Sequence, residues 1–192
     1  MPDPIRSLVG QSALPAGGRV YGDLLRLEVQ LQRAVVLLRL AQDSQKSLAK
    51  LRIADRPVPE TMNTWLGDDP VYCRVGPDSW LLISAGHDGA ELADAARTAC
   101  KKRACAVTDL SDAHVAIVVE GPHALDLLVR GCALDFAAFG DGACARTRFA
   151  QLPVMLRRTA ADRFELLVDR AIARHLFDWL QDAAAGLDWQ PP

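Results

Sequence analysis

Residues 108–153 constrain the fold of this chain more than any other stretch, because their turn, cap and stop signals follow in a specific order. An acidic turn precedes the apolar strand sequence HVAIVVE. The pair Gly121-Pro122 then predicts a helix start, with proline at a first helical position where its missing N–H costs nothing. Gly131 predicts a left-handed cap that ends the helix. The order predicts a strand followed by a short helix with a defined beginning and end.

The bulk composition is typical of a folded chain that buries its own core. Half of the 192 residues are hydrophobic and 24% are charged, which suits one domain or two small lobes. No apolar run approaches the roughly 18 to 20 residues that span a bilayer, and the N-terminus lacks a signal peptide pattern. We therefore expect a cytoplasmic protein that does not enter membranes.

Charge and cysteine content exclude two further classes. The net charge is −2, and the one basic cluster, residues 101–103, falls where a helix is predicted to end, so nucleic-acid binding is not expected. The five cysteines are odd in number and scattered, which argues against a disulfide framework. Their spacing also lacks the close ligand pairs of a zinc site, so we expect reduced thiols and no metal.

Periodicity along the chain predicts an α+β fold. Residues 1–20, rich in proline and glycine, are predicted to form an extended arm or a disordered terminus. The remainder, 21–186, is predicted to be a single domain, or two lobes at 21–103 and 104–186. Strands are expected within 23–40, 71–85, 104–110, 113–120, 144–149, 151–157 and 163–168, and helices at 42–53, 88–100, after 121 and after 169. This alternation favours antiparallel sheets built from split β-α-β units, with helices packed on one face.

No established catalytic motif is present. The chain has neither a nucleophile elbow nor a glycine-rich phosphate loop, and its four histidines lie in dissimilar contexts, so we expect no catalytic residues. The polar candidates for binding a cofactor are Asp109, Ser111, Arg146 and Arg148. The acidic pair of the DLSD turn could accept hydrogen bonds from a pterin-like ring or a partner, but is equally good turn chemistry. The two arginines share one face of a strand and could hold a carboxylate, although such pairs are also often solvated or in protein contacts.

Six short motifs in order resemble the gamma-subunit family of heterotetrameric sarcosine oxidase and, more broadly, the folate-binding fold of aminomethyltransferases. They are residues 76–82 (GPDSWLL), 109–111 (DLS), 119–122 (VEGP), 130–135 (RGCALD), 144–148 (CARTR) and 152–156 (LPVML). The last predicted strand and helix, residues 164–180, also resemble that family. The resemblance covers about residues 20–182.

The resemblance implies a non-catalytic subunit. In that family the complex demethylates sarcosine oxidatively to glycine and passes a one-carbon unit to tetrahydrofolate. FAD, FMN, NAD and tetrahydrofolate are then expected in the complex but none in this chain, whose partners would be the alpha, beta and delta subunits.

Two alternatives remain open. Near residues 38–43 the chain departs from the family pattern, which would suit a subunit of a related N-methyl amino acid dehydrogenase or oxidase. A stand-alone folate-binding aminomethyltransferase-like protein, with Asp109 in an acid-base role, would have the same fold.

Overall fold

The computed structural model describes residues 14, 17–21, 23–30, 33–45 and 48–187. Their strands are β1 (Gly17–Tyr21), β2 (Leu25–Gln30), β3 (Ala34–Leu40), β4 (Arg52–Ile53), β5 (Arg56–Pro57), β6 (Trp65–Leu66), β7 (Val71–Gly76), β8 (Ser79–Ser84), β9 (Cys105–Asp109), β10 (His114–Glu120), β11 (Cys144–Phe149), β12 (Leu152–Ala160) and β13 (Arg163–Asp169). The α-helices are α1 (Gly89–Ala99), α2 (Ala124–Gly131) and α3 (Arg170–Ala185). Within these residues no helix combines the length and the apolar surface needed to cross a bilayer.

Two antiparallel sheets form the body of the molecule. The larger has the order β1-β2-β10-β13-β12-β11 and the smaller the order β6-β7-β8-β3-β9. Both draw strands from both halves of the chain, so a division between residues 103 and 104 does not separate them. The first of these strands, β1, includes residues 17–20 of the predicted arm, whereas residues 1–13, 15 and 16 lie outside the described part.

The two sheets pack face to face, and each carries helices on its other face only. Leu127, Leu176 and other side chains of α2 and α3 pack on the larger sheet, while Leu92 and Ala96 of α1 pack on the smaller. Between the sheets lies a third apolar cluster. The faces that meet there are called the inner faces below. Because β8 and β10 are covered on both sides, their sequences SWLLIS and HVAIVVE show almost unbroken burial. The predicted α+β architecture is confirmed.

Local capping explains where two of the helices begin. The Asp88 carboxylate accepts a hydrogen bond from the N–H of Ala90 at 2.7 Å, and Asp169 accepts one from Ala171 at 2.9 Å. Each satisfies a backbone donor that would otherwise lack a partner in the first helical turn. The predicted starts of α1 and α3 are confirmed at these two residues.

Three local predictions are wrong. Residues 42–53 form two short 3₁₀ turns and β4 instead of an amphipathic helix, because Leu48 and Leu51 anchor the segment in the core under α1 without a continuous helical stripe. The helix predicted to have Pro122 at its first position begins at Ala124, because Gly121 has φ +125° and the His123 N–H donates to the Leu24 carbonyl at 3.1 Å, outside the helix.

The third wrong prediction concerns Gly131, which was expected to end the helix in a left-handed backbone conformation. It has a packing role instead. It is the last residue of α2 and is not among the residues with positive φ. A Cβ there would lie 2.7 Å from the Phe149 ring and 2.9 Å from the Trp179 ring. Only glycine lets α2 approach these two rings so closely.

Candidate functional site

The inner face of the larger sheet has an apolar middle and polar ends. Successive side chains of a strand point to opposite faces, and the inward residues Ala116 and Leu167 lie in the apolar middle. Residues two positions away point inward as well, so His114 and Asp169 lie at one end of the face and Glu165 lies toward the other. A cleft opens at each end.

The larger cleft, called here the Arg146 cleft, has a volume of about 530 Å³. Its lining includes Leu81, His114, Arg146, Arg148, Met155 and Asp169. Apolar side chains of both sheets form the floor of the cleft, and the polar and charged side chains surround this floor. A volume of several hundred Å³ with a few convergent polar groups is typical of a small-molecule site.

Arg146 and Arg148 bring two positive charges to this cleft without a carboxylate at ion-pair distance among the described residues. Cys144, Arg146 and Arg148 are spaced two residues apart along β11, so all three lie on the inner face. Cys144 is buried, and both arginines are exposed. Among the described residues neither guanidinium makes a hydrogen bond or an ion pair. Guanidinium groups bind carboxylates in a two-pronged geometry, so the pair can accept an anionic group that enters the cleft. The prediction that both arginines share one face is confirmed.

His114 and Asp169 face each other across β10 and β13. The Leu110 carbonyl oxygen lies 3.2 Å from Nδ1 of His114, and because a carbonyl can only accept, Nδ1 is the donor in this hydrogen bond. One oxygen of Asp169 is engaged in capping α3. Sequence reasoning left both residues out of the site, although their inward period-2 positions on neighbouring strands were a usable signal.

Asp109 is the last residue of β9 and Ser111 lies in the turn that follows; both are outside the lining of the Arg146 cleft. The Asp109 carboxylate accepts hydrogen bonds from the Ser111 N–H at 2.9 Å and from its hydroxyl at 2.6 Å. The Ser111 oxygen in turn accepts from the Val35 N–H at 3.0 Å. A Cβ on Gly89 would lie 2.5 Å from the Asp109 carboxylate, so that negative charge sits against the N-terminal end of α1, where the helix dipole favours it. Turn chemistry accounts for this pair, and a cofactor role for it stays a prediction.

The smaller cleft, called here the Glu165 cleft, has a volume of about 290 Å³ and holds a buried ion cluster that sequence reasoning missed. Arg157 donates to both oxygens of Glu165, at 3.0 and 3.2 Å, and Arg33 lies 3.3 Å from the same carboxylate. Arg157 and Glu165 are 6% and 2% exposed. Burial opposes the charge of Arg157, but the adjacent Glu165 carboxylate outweighs it and raises the pKa of the guanidinium. The sequence signal for this cluster was Glu165, a charged residue at an inward position of the otherwise apolar strand FELLVD.

The described residues contain no group of three His, Cys, Asp or Glu side chains placed to hold a metal ion. All five cysteines are free. A hydrogen bond with Cys144, together with burial, raises the pKa of the Cys73 thiol well above its usual value. That thiol is therefore protonated and a poor nucleophile near neutral pH.

Comparisons with known proteins agree with the resemblance drawn from the motifs. Residues 62–191 match the family described as GCVT N-terminal domain. A sarcosine oxidase subunit gamma of Corynebacterium sp. (strain P-1) is 32% identical over 119 residues, 61% of this chain and 58% of that protein. An aminomethyltransferase of Saccharopolyspora erythraea is 28% identical over 121 residues, 62% of this chain and 33% of that protein. The chain thus spans little more than half of the first relative's length and a third of the second's.

Solved structures extend the comparison beyond the aligned segments. A chain of the heterotetrameric sarcosine oxidase from Corynebacterium sp. U-96, solved in complex with pyrrole 2-carboxylate, superposes with a TM-score of 0.79 at 25% identity and covers 90% of both chains. The glycine cleavage system aminomethyltransferase T from Bartonella henselae shares the fold, with a TM-score of 0.61 at 14% identity over 80% of this chain and 44% of that one. The predicted aminomethyltransferase-like fold and the resemblance to gamma subunits are confirmed.

Proposed function

The chain belongs to the GCVT N-terminal domain family, and from that premise we propose that it is a subunit of a sarcosine oxidase-type complex, without an active site of its own. The observation that carries this proposal is the superposition, over nine tenths of both chains, on a chain of a heterotetrameric sarcosine oxidase. The complex would demethylate sarcosine oxidatively to glycine, in the cytoplasm, with the one-carbon unit passing to tetrahydrofolate. FAD, FMN, NAD and tetrahydrofolate would be bound by the alpha, beta and delta partners.

An exposed apolar surface on α2 supports a subunit role. Leu125 and Val129 are 40% and 54% exposed, and their four-residue spacing puts them on one helix face. Leu24, also 40% exposed, lies beside the start of α2, because its carbonyl accepts from the His123 N–H at 3.1 Å. We assign this surface, Leu24, Leu125 and Val129, to contact with a partner subunit, which would remove it from water.

Co-expression with the alpha, beta and delta chains tests the proposal. We expect one assembly on size exclusion, and no flavin absorbance from the chain purified alone. The double variant Leu125→Gln/Val129→Gln should lower the yield of the assembly, since glutamine keeps helix propensity while removing the apolar contact. Leu66→Gln, at a 44% exposed position on β6, is the matched control. An isolated chain that oxidises sarcosine would overturn the proposal.

The Arg146 cleft favours a second candidate, a stand-alone folate-binding protein. Its volume suits a small molecule, and the guanidiniums of Arg146 and Arg148, which have no partner in the described part of the chain, match the two carboxylates of the glutamate part of a folate. In this candidate the folate would extend beyond the lining of the Arg146 cleft to contact Asp109 and Ser111, with Asp109 in the acid-base role. Calorimetric titration of the purified chain with 5-formyltetrahydrofolate decides between the two: binding at about micromolar Kd without partners favours the second candidate. Arg148→Gln should then weaken it about tenfold.

A further inference from the structure

The Glu165 cleft holds more positive charge than its carboxylates neutralise. Three guanidinium groups line it, from Arg33, Arg157 and Arg163, against the carboxylates of Glu165 and Asp68. Glu165 is buried, whereas Asp68 is exposed at the rim, where water screens its charge. Inside the cleft the one buried carboxylate, of Glu165, therefore faces the two guanidiniums of Arg157 and Arg33, and the more exposed Arg163 stands beside them.

Arg163 is the cation whose hydrogen-bonding capacity is least used. Its Nε is buried and, within the described part of the chain, has no hydrogen-bond partner. The nearest carboxylate oxygen, on Glu120, lies 3.7 Å away on a side chain that is 42% exposed. Buried N–H donors in folded proteins almost always have an acceptor, and the contact with Glu120 is too long to be a hydrogen bond, so this Nε can still donate to a closer acceptor.

Nη1 of Arg157 is a second donor with no hydrogen bond among the described residues. The other two nitrogens of that guanidinium are taken by Glu165. The Trp65 ring packs on the guanidinium at 5.1 Å, and Val118 provides an apolar wall. The cleft thus combines charged donors with aromatic and apolar contacts, and its volume of about 290 Å³ has room for a small organic anion.

We propose that the Glu165 cleft binds a small monocarboxylate with a short apolar body. Its oxygens would accept from Arg163 and Arg157, and its body would contact Trp65 and Val118. The site is separate from the Arg146 cleft, and it requires neither partner subunits nor folate. The proposal therefore stands or fails independently of the function proposed above.

Titration of the ¹⁵N-labelled chain with sodium propionate tests the proposal, at ionic strength held constant with NaCl. The reporter is the indole N–H of Trp65, which donates to the Arg158 carbonyl at 3.0 Å; its signal is assigned with Trp65→Phe. We expect a saturable shift with a Kd of about 1 mM. The indole N–H of Trp80, in the core under α1 and bonded to the Pro59 carbonyl, should not move. Propionamide, which has nearly the same shape without the charge, should cause no saturable shift.

Variants of Arg163 complete the test. Arg163→Gln should weaken propionate binding at least about tenfold, because it removes a charged hydrogen bond, and Arg163→Lys should weaken it less. The side chain of Arg163 is 39% exposed, so both variants should fold, as circular dichroism can check. Arg174→Gln, on α3 beyond the opposite face of the sheet, should bind like the wild type. No saturable Trp65 shift, or equal affinity in Arg163→Gln, would overturn the proposal.

Discussion

The two clefts lie on the same sheet face, but their charged side chains are stabilised differently, by water in one cleft and by ion pairs in the other. In the Arg146 cleft both arginines are exposed, so water compensates the two cations and the fold does not require a carboxylate beside them. In the Glu165 cleft Arg157 and Glu165 are almost completely buried, where an unpaired charge would cost several kcal/mol. The same strand alternation produced both clefts. Depth of burial decides which of them depends on internal ion pairs for stability.

The largest expected effect comes from removing the carboxylate of the buried cluster. Glu165→Ala should lower the free energy of unfolding by about 3 to 5 kcal/mol, because it leaves Arg157 buried and Arg33 partly buried without their shared anion. Urea denaturation followed by tryptophan fluorescence measures the change. A loss under about 1 kcal/mol would show that water reaches this cleft as freely as it reaches the other.

A compensated double variant separates the loss of an ion pair from the loss of packing. Arg157→Met/Glu165→Leu should recover most of the stability lost in Glu165→Ala, since apolar residues of similar volume often replace buried ion pairs at little cost. The same urea experiment applies. If the double variant is as unstable as Glu165→Ala, the cluster stabilises the sheet packing in a way that apolar contacts cannot replace.

A smaller effect is expected at the other cleft, where one charged group has a structural role. Asp169→Ala should cost about 1 kcal/mol, because α3 loses its N-terminal cap. Asp169→Asn should cost much less, since asparagine also caps helices well. Thermal melting of both variants makes the comparison, and equal losses would mean that the negative charge of Asp169, more than its cap, stabilises the fold.

The smallest effect on stability is expected for the exposed cations. Arg146→Gln and Arg148→Gln should each change the unfolding free energy by less than about 0.5 kcal/mol, because neither has a partner to lose among the described residues. The same urea curves measure this change. A loss above about 1 kcal/mol in either variant would remove the contrast between the clefts.

Sequence reasoning succeeded where signals are local. Asp88 and Asp169 precede apolar stripes of helical period, and period-2 alternation marks most of the strands, so these elements followed from neighbouring residues alone. It failed at residues 42–53 and at Gly131, where contacts with distant parts of the chain decide the conformation. The rings of Phe149 and Trp179, for example, make a glycine necessary at the end of α2.

The candidate site likewise has features that local sequence patterns predict and features that depend on distant contacts. Alternation on one strand was enough to place Arg146 and Arg148 on a common face. The pairing of Arg157 with Glu165 depends on the register of β12 against β13. The contribution of Arg33 depends on its position directly before β3, a strand of the other sheet. No local pattern contains either fact.

The order of turns, caps and apolar periods between residues 108 and 153 was sufficient to indicate the family and the α+β fold, because most of these signals act through backbone geometry within a few residues. Gly131 is the exception, since it acts through packing against distant rings. The burial and pairing of the charged side chains in and around that segment depend on the tertiary structure. The packing of the smaller sheet against the larger one determines which charged side chains are solvated and which are buried in ion pairs. The reason is that the free-energy cost of an unpaired charge depends on its depth below the surface. The sequence alone does not specify that depth.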